Sequence, residues 1–163
     1  MLKEYSVFWN SKRKEKAEYI NLSSYEVSIL ASIVEKEQSI RIDERKKIAG
    51  LYLNRLRRGM RLESDPTLIF ALGDFSIKRV LNKDKKVDSP YNTYMYLGLP
   101  PGPICIPSIN AIDAVLNAES HDFIFMCAKE DFSGYHNFAI TYKQHLRNAR
   151  KYQRELNNRR IMR

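Results

Sequence analysis

Ser23-Ser24-Tyr25-Glu26-Val27-Ser28-Ile29-Leu30-Ala31-Ser32-Ile33-Val34-Glu35-Lys36-Glu37-Gln38 is the stretch from which the rest of the chain can be read. Ser23-x-x-Glu26 is a capping-box pattern, in which hydroxyl and carboxylate satisfy backbone N–H groups at the start of a helix. It opens a helix over about residues 24–38, with Val27, Leu30, Ile33 and Val34 on the inward face. At the helical pitch, Glu37 lies about 20° round from Leu30, about 40° from Ile33 and about 60° from Val34. It therefore continues the apolar stripe, whereas Glu35 points about 160° away, toward water. A carboxyl on an inward face is costly, because desolvation disfavours its charged form and raises its pKa. That environment suits a general acid working near neutral pH. A structural glutamate at a fraying helix end, paired with a neighbouring arginine, fits the same pattern.

On the N-terminal side, Val7-Phe8-Trp9 is an apolar entry, and Asn10-Ser11 caps a short helix over Lys12–Tyr19. On the C-terminal side, a second helix runs from about Asp43, its candidate cap, to Arg58. Ile48, Leu51, Tyr52 and Leu56 recur at helical spacing there, and Gly59 is a natural stop. The short link between the two long helices predicts an antiparallel or steeply crossed pair. Ser64-Asp65-Pro66-Thr67 reads as a turn before the apolar run Leu68–Gly73, and residues 78–88 as a charged surface excursion. Four of the six prolines lie between Pro100 and Pro107, and Pro90 comes just before. Such a segment is neither helix nor central strand, and its fixed backbone is suited to walling a cleft. Ser108–Ala118 reads as a helix, and Phe123–Ala128 with Tyr135–Ile140 as a hairpin, the first strand buried. A closing helix carries the stripe Tyr142, Leu146, Ala149, Gln153 and Leu156. The fold class is α+β: helices early and late, with a small antiparallel sheet in the C-terminal half. Strands between 60 and 107 are left open.

The 163 residues suffice for one sizeable domain and are short for two, and 44% apolar content with 18 aromatic residues argues for a packed core. No run of 18 apolar residues occurs, and charged Leu2-Lys3-Glu4 follows Met1 where a signal peptide would be apolar. The chain is then cytoplasmic or a piece of a longer exported protein. Cys105 and Cys127 are either a pair or two buried thiols. No CxxC, HExxH, GxGxxG, P-loop or GxSxG pattern is present, and no metal or cofactor is expected. Of the formal charge of +9, residues 141–163 hold +7, from eight Lys/Arg and one Glu. That tail is the solvated face of a terminal helix, or else it meets an anionic surface. With the charge confined there and no recognition motif, nucleic acid is not an expected partner.

Six segments occur in an order that resembles a known family. They are Ala31–Glu37, Asn54-Arg55-Leu56, Met60-Arg61-Leu62-x-Ser64-Asp65-Pro66-Thr67, Tyr91-Asn92-Thr93-Tyr94, Gly98-Leu99-Pro100-Pro101-Gly102-Pro103-Ile104 and His136-x-Phe138. Together they resemble the bacterial endolytic murein transglycosylases (MltG or YceG-like proteins), over nearly the whole chain. The resemblance implies that residues 1–163 are one lytic transglycosylase catalytic domain. The family's N-terminal membrane anchor and LysM-like domain would lie outside it. It implies a bacterial envelope protein, anchored in the cytoplasmic membrane with this domain outside. Its substrate would be peptidoglycan glycan strands, its partners the cell-wall synthesis machinery.

The resemblance makes Glu37 catalytic, the position that helical phase had already selected. Gln38 stands where the family has Thr or Ser. One buried acid suffices for such a reaction: it protonates the leaving oxygen, then takes the proton of the sugar's own C6 hydroxyl as that oxygen closes on C1. The substrate-binding candidates are Asn54, Arg55, Ser64, Asp65, Thr67, Tyr91, Asn92, Thr93, Tyr94 and His136. Asp65 is the best second acid, although Asp before Pro commonly caps a turn. Tyr91 can stack on a sugar, Asn92 and Tyr94 can donate to sugar oxygens, and Arg55 can pair with Glu37 or a peptide carboxylate. Each also fits a plain structural role. The competing functions are a non-catalytic glycan-binding domain and a two-carboxylate glycoside hydrolase using Asp65. The aminodeoxychorismate lyase label attached to the family would need a pyridoxal phosphate lysine and a phosphate cup, and neither is visible in the sequence.

Overall fold

The structure, a computed structural model, describes residues 2–160; Met1 and residues 161–163 of the basic tail lie outside the described residues. Seven α-helices and a two-stranded sheet are found among them. In chain order they are α1 (Leu2–Phe8), α2 (Ser11–Tyr19), α3 (Ser24–Glu37), α4 (Arg45–Arg57), α5 (Asp65–Leu72), α6 (Ile109–Leu116), β1 (Phe125–Ala128), β2 (His136–Ala139) and α7 (Tyr142–Asn158). This is the α+β class expected.

The central element is α3. Its capping box is complete: Ser23 Oγ accepts from Glu26 N–H, and the Glu26 carboxylate accepts from Ser23 N–H at 2.8 Å. From Ile29 to Val34 every residue is buried, so the helix is surrounded rather than laid on a surface. α4, α5 and α6 pack against it, and the core formed with Trp9 and Ala17 is continuous. Ser32, the one polar residue in that run, donates to Ile29 O at 2.7 Å and accepts Ile104 N–H at 3.0 Å. The proline-rich segment is thereby tied to the back of α3. Ile104 lines a separate hollow with Pro66 and Phe70, and none of residues 98–107 lines the hollows beside Glu37. Glu35 is also engaged, since its Oε2 accepts the Ser108 N–H at 2.6 Å at the head of α6.

Several local expectations are corrected. The apolar entry Val7-Phe8-Trp9 is the end of a helix, α1, and the residue after it. Asp43 does not cap α4; it sits in a short 3-10 turn, Ile42–Glu44, that leads into the helix. Ser64–Thr67 is not a free-standing turn but the start of α5, with Pro66 in the first turn, where its missing N–H costs nothing. No strand occurs between 60 and 107 among the described residues. The first hairpin strand is half-buried, not buried. In α7, Tyr142 and Gln153 face outward, and Tyr152 and Leu156 turn in. Cys105 and Cys127 are free thiols.

The hairpin pairs Phe125 with Ala139 and Ala128 with His136, and α7 lies over it. Asn54 hangs the hairpin from α4: its amide donates to His121 O at 2.7 Å and Phe123 O at 3.0 Å. Gly50, one turn earlier, lets the same segment approach. A Cβ there would stand 2.3 Å from Glu119 O. Glycine to alanine inside a helix ordinarily gains about 1 kcal/mol. Here overpacking reverses the sign, and Gly50→Ala should lose about 1–3 kcal/mol in denaturant unfolding. A stabilised Gly50→Ala protein would contradict this packing.

Candidate active site

Glu37 is the last residue of α3 and projects into a groove between α4, the hairpin and α7. The part in front of it has a volume of about 310 Å³, within the range typical of ligand sites. Leu51, Tyr52 and Arg55 of α4 form its floor. Met126–Ala128 and His136 form one wall, Leu62, Glu63, Asp65 and Tyr94 the opposite one, and α7 overhangs with Ala149 and Tyr152. A second hollow of about 240 Å³ continues past Glu37 between Ile40, Phe132 and Tyr135. It shares Glu37, Ala128, His136 and Tyr152 with the first. A larger concavity of about 800 Å³ lies between α2, α4 and α6, lined by Lys12, Arg13 and Lys46 and remote from Glu37. Its one close ion pair, Arg13 with Asp113, is structural.

The Glu37 carboxyl is held by one oxygen. Oε1 accepts the Tyr52 hydroxyl at 2.5 Å and the Ser64 hydroxyl at 2.6 Å. Among the described residues Oε2 has no hydrogen bond, and it is not one of the sealed, unpaired polar atoms. Glu37 as a residue keeps partial access to solvent, yet protein crowds its carboxyl. Desolvation is the largest influence and raises the pKa above an ordinary glutamate; the two hydroxyl donors oppose it, and the nearby Asp65 charge adds to it. Burial and the Glu37 charge push the Tyr52 phenol well up, so it remains a donor.

The sequence candidates divide into two layers. Glu37, Arg55, Asp65, Tyr94 and His136 line the groove. Asn54, Ser64, Thr67, Tyr91, Asn92 and Thr93 do not line it. Ser64 nevertheless reaches Glu37, and its position is built by the others. Thr93 Oγ1 accepts Ser64 N–H at 3.0 Å, Thr67 Oγ1 donates to Ser64 O at 2.8 Å, and the two threonine hydroxyls meet at 2.7 Å. Asn92 is fully buried; its amide donates to Lys85 O and Val87 O, and its Oδ1 accepts Tyr94 N–H. Tyr91 packs against Phe70 with the rings tilted and their centres 4.7 Å apart. Segments 64–67 and 91–94 are therefore one hydrogen-bonded unit that presents Ser64, Asp65 and Tyr94. Glu63, just before Ser64, donates its N–H to Thr93 O at 3.1 Å and has φ 53°, a left-handed backbone uncommon outside glycine.

Arg55 does not pair with Glu37. Its guanidinium donates to the carbonyls of Ile124, Arg61 and Leu62 and meets Glu63 at 3.2 Å. Asp65 accepts the Tyr94 hydroxyl; burial raises its pKa, against the pull of Tyr94 and Lys85. Sequence reasoning placed Tyr52 only in the core stripe and gave no site role to Glu44. The helical face held a clue to the first, since a phenol buried in a stripe needs a hydrogen-bond partner. Nothing local signals Glu44, whose partner His136 lies across 92 residues of chain. Among the described residues no metal-binding cluster is present.

Comparison with known proteins is decisive at this point. Residues 1–151 match the model of the YceG-like family. The chain belongs to the YceG-like family. It is 38% identical over 131 residues to the endolytic murein transglycosylase of Bacillus subtilis, covering 80% of this chain and 35% of that protein. It is also 38% identical over 112 residues to the endolytic murein transglycosylase of Streptococcus pneumoniae, covering 66% of this chain and 20% of that one. A crystal structure of a YceG-like protein from Listeria monocytogenes superposes with a TM-score of 0.78 at 36% identity, over 90% of this chain and 47% of that one. The chain thus spans about a third of its Bacillus relative and a fifth of its Streptococcus relative. No helix among the described residues is long and apolar enough to cross a membrane.

The raised pKa of Glu37 has a stability consequence. Relative to an unfolded value near 4.5, the native protein holds this proton more tightly. The resulting stability is fully present below that value and is lost as pH rises through the native pKa. Glu37→Gln is neutral throughout and still accepts from Tyr52 and Ser64. It should melt above the parent at about pH 8, with the margin shrinking toward about pH 4, each kcal/mol reading as about 2–4 °C. A melting difference independent of pH would contradict a desolvated carboxyl.

Proposed function

We propose that these residues form the catalytic domain of an endolytic peptidoglycan lytic transglycosylase. It cleaves MurNAc–GlcNAc bonds within glycan strands and leaves 1,6-anhydro-MurNAc ends. The support for this reading is a carboxyl that protein crowds at the edge of a groove, with Oε1 held by two hydroxyls and burial raising its pKa above that of an ordinary glutamate. The names of the Bacillus and Streptococcus relatives point the same way.

The protonated Oε2 of Glu37 gives its proton to the oxygen leaving from C1. As the C1–O bond breaks, positive charge grows on the sugar and is shared by its N-acetyl oxygen. Glu37 becomes an anion at that moment, and the Tyr52 and Ser64 hydroxyls are already aimed at Oε1 to stabilise it. Glu37 then takes the proton of the C6 hydroxyl while that oxygen bonds to C1. No water is consumed, and the acid is restored. The residues proposed to meet the glycan directly are Asp65, Tyr94 and His136, with Arg55 in the floor. Asn54, Ser64, Thr67, Tyr91, Asn92 and Thr93 support the groove. A two-carboxylate hydrolase would need Asp65 ionised as nucleophile or base. Burial raises its pKa against that form, so this alternative is not favoured.

The domain is proposed to act in the bacterial cell envelope as part of a longer, membrane-anchored protein. Its partial span of the relatives supports this. The wall-synthesis machinery is the partner that setting implies.

Incubation with purified peptidoglycan, followed by mass spectrometry of the released ends, tests the reading. Anhydro-muramyl ends are expected. Reducing ends would overturn it in favour of hydrolysis, and binding without cleavage in favour of a glycan-binding module. Glu37→Gln should lower turnover by about 10²–10⁴-fold, the usual range for a lost general acid. Glu35→Gln, which alters only the contact to Ser108, should remain within a few-fold of the parent.

A further inference from the structure

A second buried carboxylate, unused in the reaction above, lies behind the groove wall. Glu44 ends the 3-10 turn before α4 and is 8% exposed. Its Oε1 accepts the backbone N–H of His136 at 3.0 Å. Its Oε2 meets Gln38 Nε2 and His136 Nδ1, each at 2.7 Å. The orientation of the Gln38 amide is fixed by all four of its neighbours. Nε2 also donates to Gly134 O at 2.9 Å, while Oε1 accepts from Ile40 N at 3.3 Å and Arg41 N at 2.8 Å. Reversing that amide would set donors against donors and acceptors against acceptors. Glu44 therefore receives N–H groups from every side. Burial acts to raise its pKa, but the His136 and Gln38 donors prevail and hold it below an ordinary glutamate. An ionised carboxylate only accepts, so the hydrogen between Glu44 and the imidazole sits on Nδ1.

The other imidazole nitrogen faces the opposite way. His136 lines both halves of the groove together with Glu37 and lies near enough to act on it electrostatically. Among the described residues its Nε2 has no hydrogen-bond partner, and it is not one of the sealed, unpaired polar atoms. With hydrogen on Nδ1, Nε2 is a lone-pair acceptor. The other polar groups beside Glu37 are less free for this role. Glu37 Oε1 already accepts the Tyr52 and Ser64 hydroxyls, and Asp65 is engaged by Tyr94. A glycan strand brings hydroxyl donors past this point.

We propose that Glu44 is a positioning residue that locks His136 as the Nδ1–H tautomer, so that Nε2 accepts a hydrogen bond from a sugar hydroxyl lying against Glu37. The identity of the hydroxyl rests on the glycan-cleaving function; the tautomer does not. Gln38, which stands where the family resemblance leads one to expect Thr or Ser, is then part of the lock, since it helps keep Glu44 in place.

Heteronuclear NMR of the imidazole nitrogens in the whole chain reads the tautomer directly. The neutral form of His136 should show a protonated Nδ1 and a bare Nε2, and Glu44→Gln should erode that preference. The kinetic arm uses two substitutions. His136→Asn keeps an N–H near Nδ1 for Glu44 and deletes the Nε2 half; turnover of glycan should fall at least tenfold with little change in melting temperature. His136→Gln restores a polar group near Nε2 and should recover part of the loss. An Nε2–H tautomer would overturn the proposal, as would parental turnover in His136→Asn, which would make the histidine purely structural. If the parent chain releases no anhydro ends, the glycan function fails on its own, and the imidazole spectrum alone decides the tautomer.

Discussion

Two opposed influences meet on the Glu37 carboxyl. Crowding by protein strips water from it and favours the neutral acid. The Tyr52 and Ser64 hydroxyls on Oε1 favour the anion. Desolvation prevails, so the carboxyl holds its proton more tightly than an ordinary glutamate does; the hydroxyls matter once the proton has gone. A neutralising cation would spoil this balance, and the nearest candidate is diverted. Arg55 spends its N–H groups on the carbonyls of Ile124, Arg61 and Leu62. Much of the surrounding structure serves to hold these three groups. α4 supplies Tyr52, and the joined segments 64–67 and 91–94 supply Ser64.

Glu37 and Glu44 show how one region of a fold sets two carboxyls to opposite tasks. Both are shielded and both are near His136. Glu37 receives two neutral hydroxyls on a single oxygen and is left protonatable. Glu44 receives three N–H donors spread over both oxygens and stays ionised. The difference lies in donor number and placement more than in depth of burial. The charge on Glu44 is thereby kept one residue away from the reacting carboxyl, with the imidazole between them.

Much of this was legible because caps and periodicity are local. α2, α3, α6 and the hairpin fall close to where capping residues and apolar spacing put them. Glu37 was legible for the same reason, since its phase on α3 continues the stripe of Leu30 and Ile33. α5 was missed because Asp65-Pro66 is also a turn signal, and only the packing of Leu68 into the interior favours the helix. The proline-rich segment was read correctly as irregular, but what it packs against was not legible, because rigidity does not reveal direction. Asn54, Thr67, Asn92 and Thr93 look like ligand groups in sequence, and their polar atoms turn out to satisfy the backbone of their own fold. Glu44 was not picked out, because two of its three donors come from His136 of β2, far along the chain.

The claim underlying all of this is that the Glu37 carboxyl keeps its proton beyond the range of an ordinary glutamate. NMR titration of the glutamate side-chain carboxyls, with Glu37→Gln used to assign the signal, measures that directly. The account predicts a midpoint above 4.5 for the one signal missing from the variant. A midpoint at or below 4.5 would mean that the hydroxyls outweigh desolvation, and Glu37 would then rest as an anion with no proton to give.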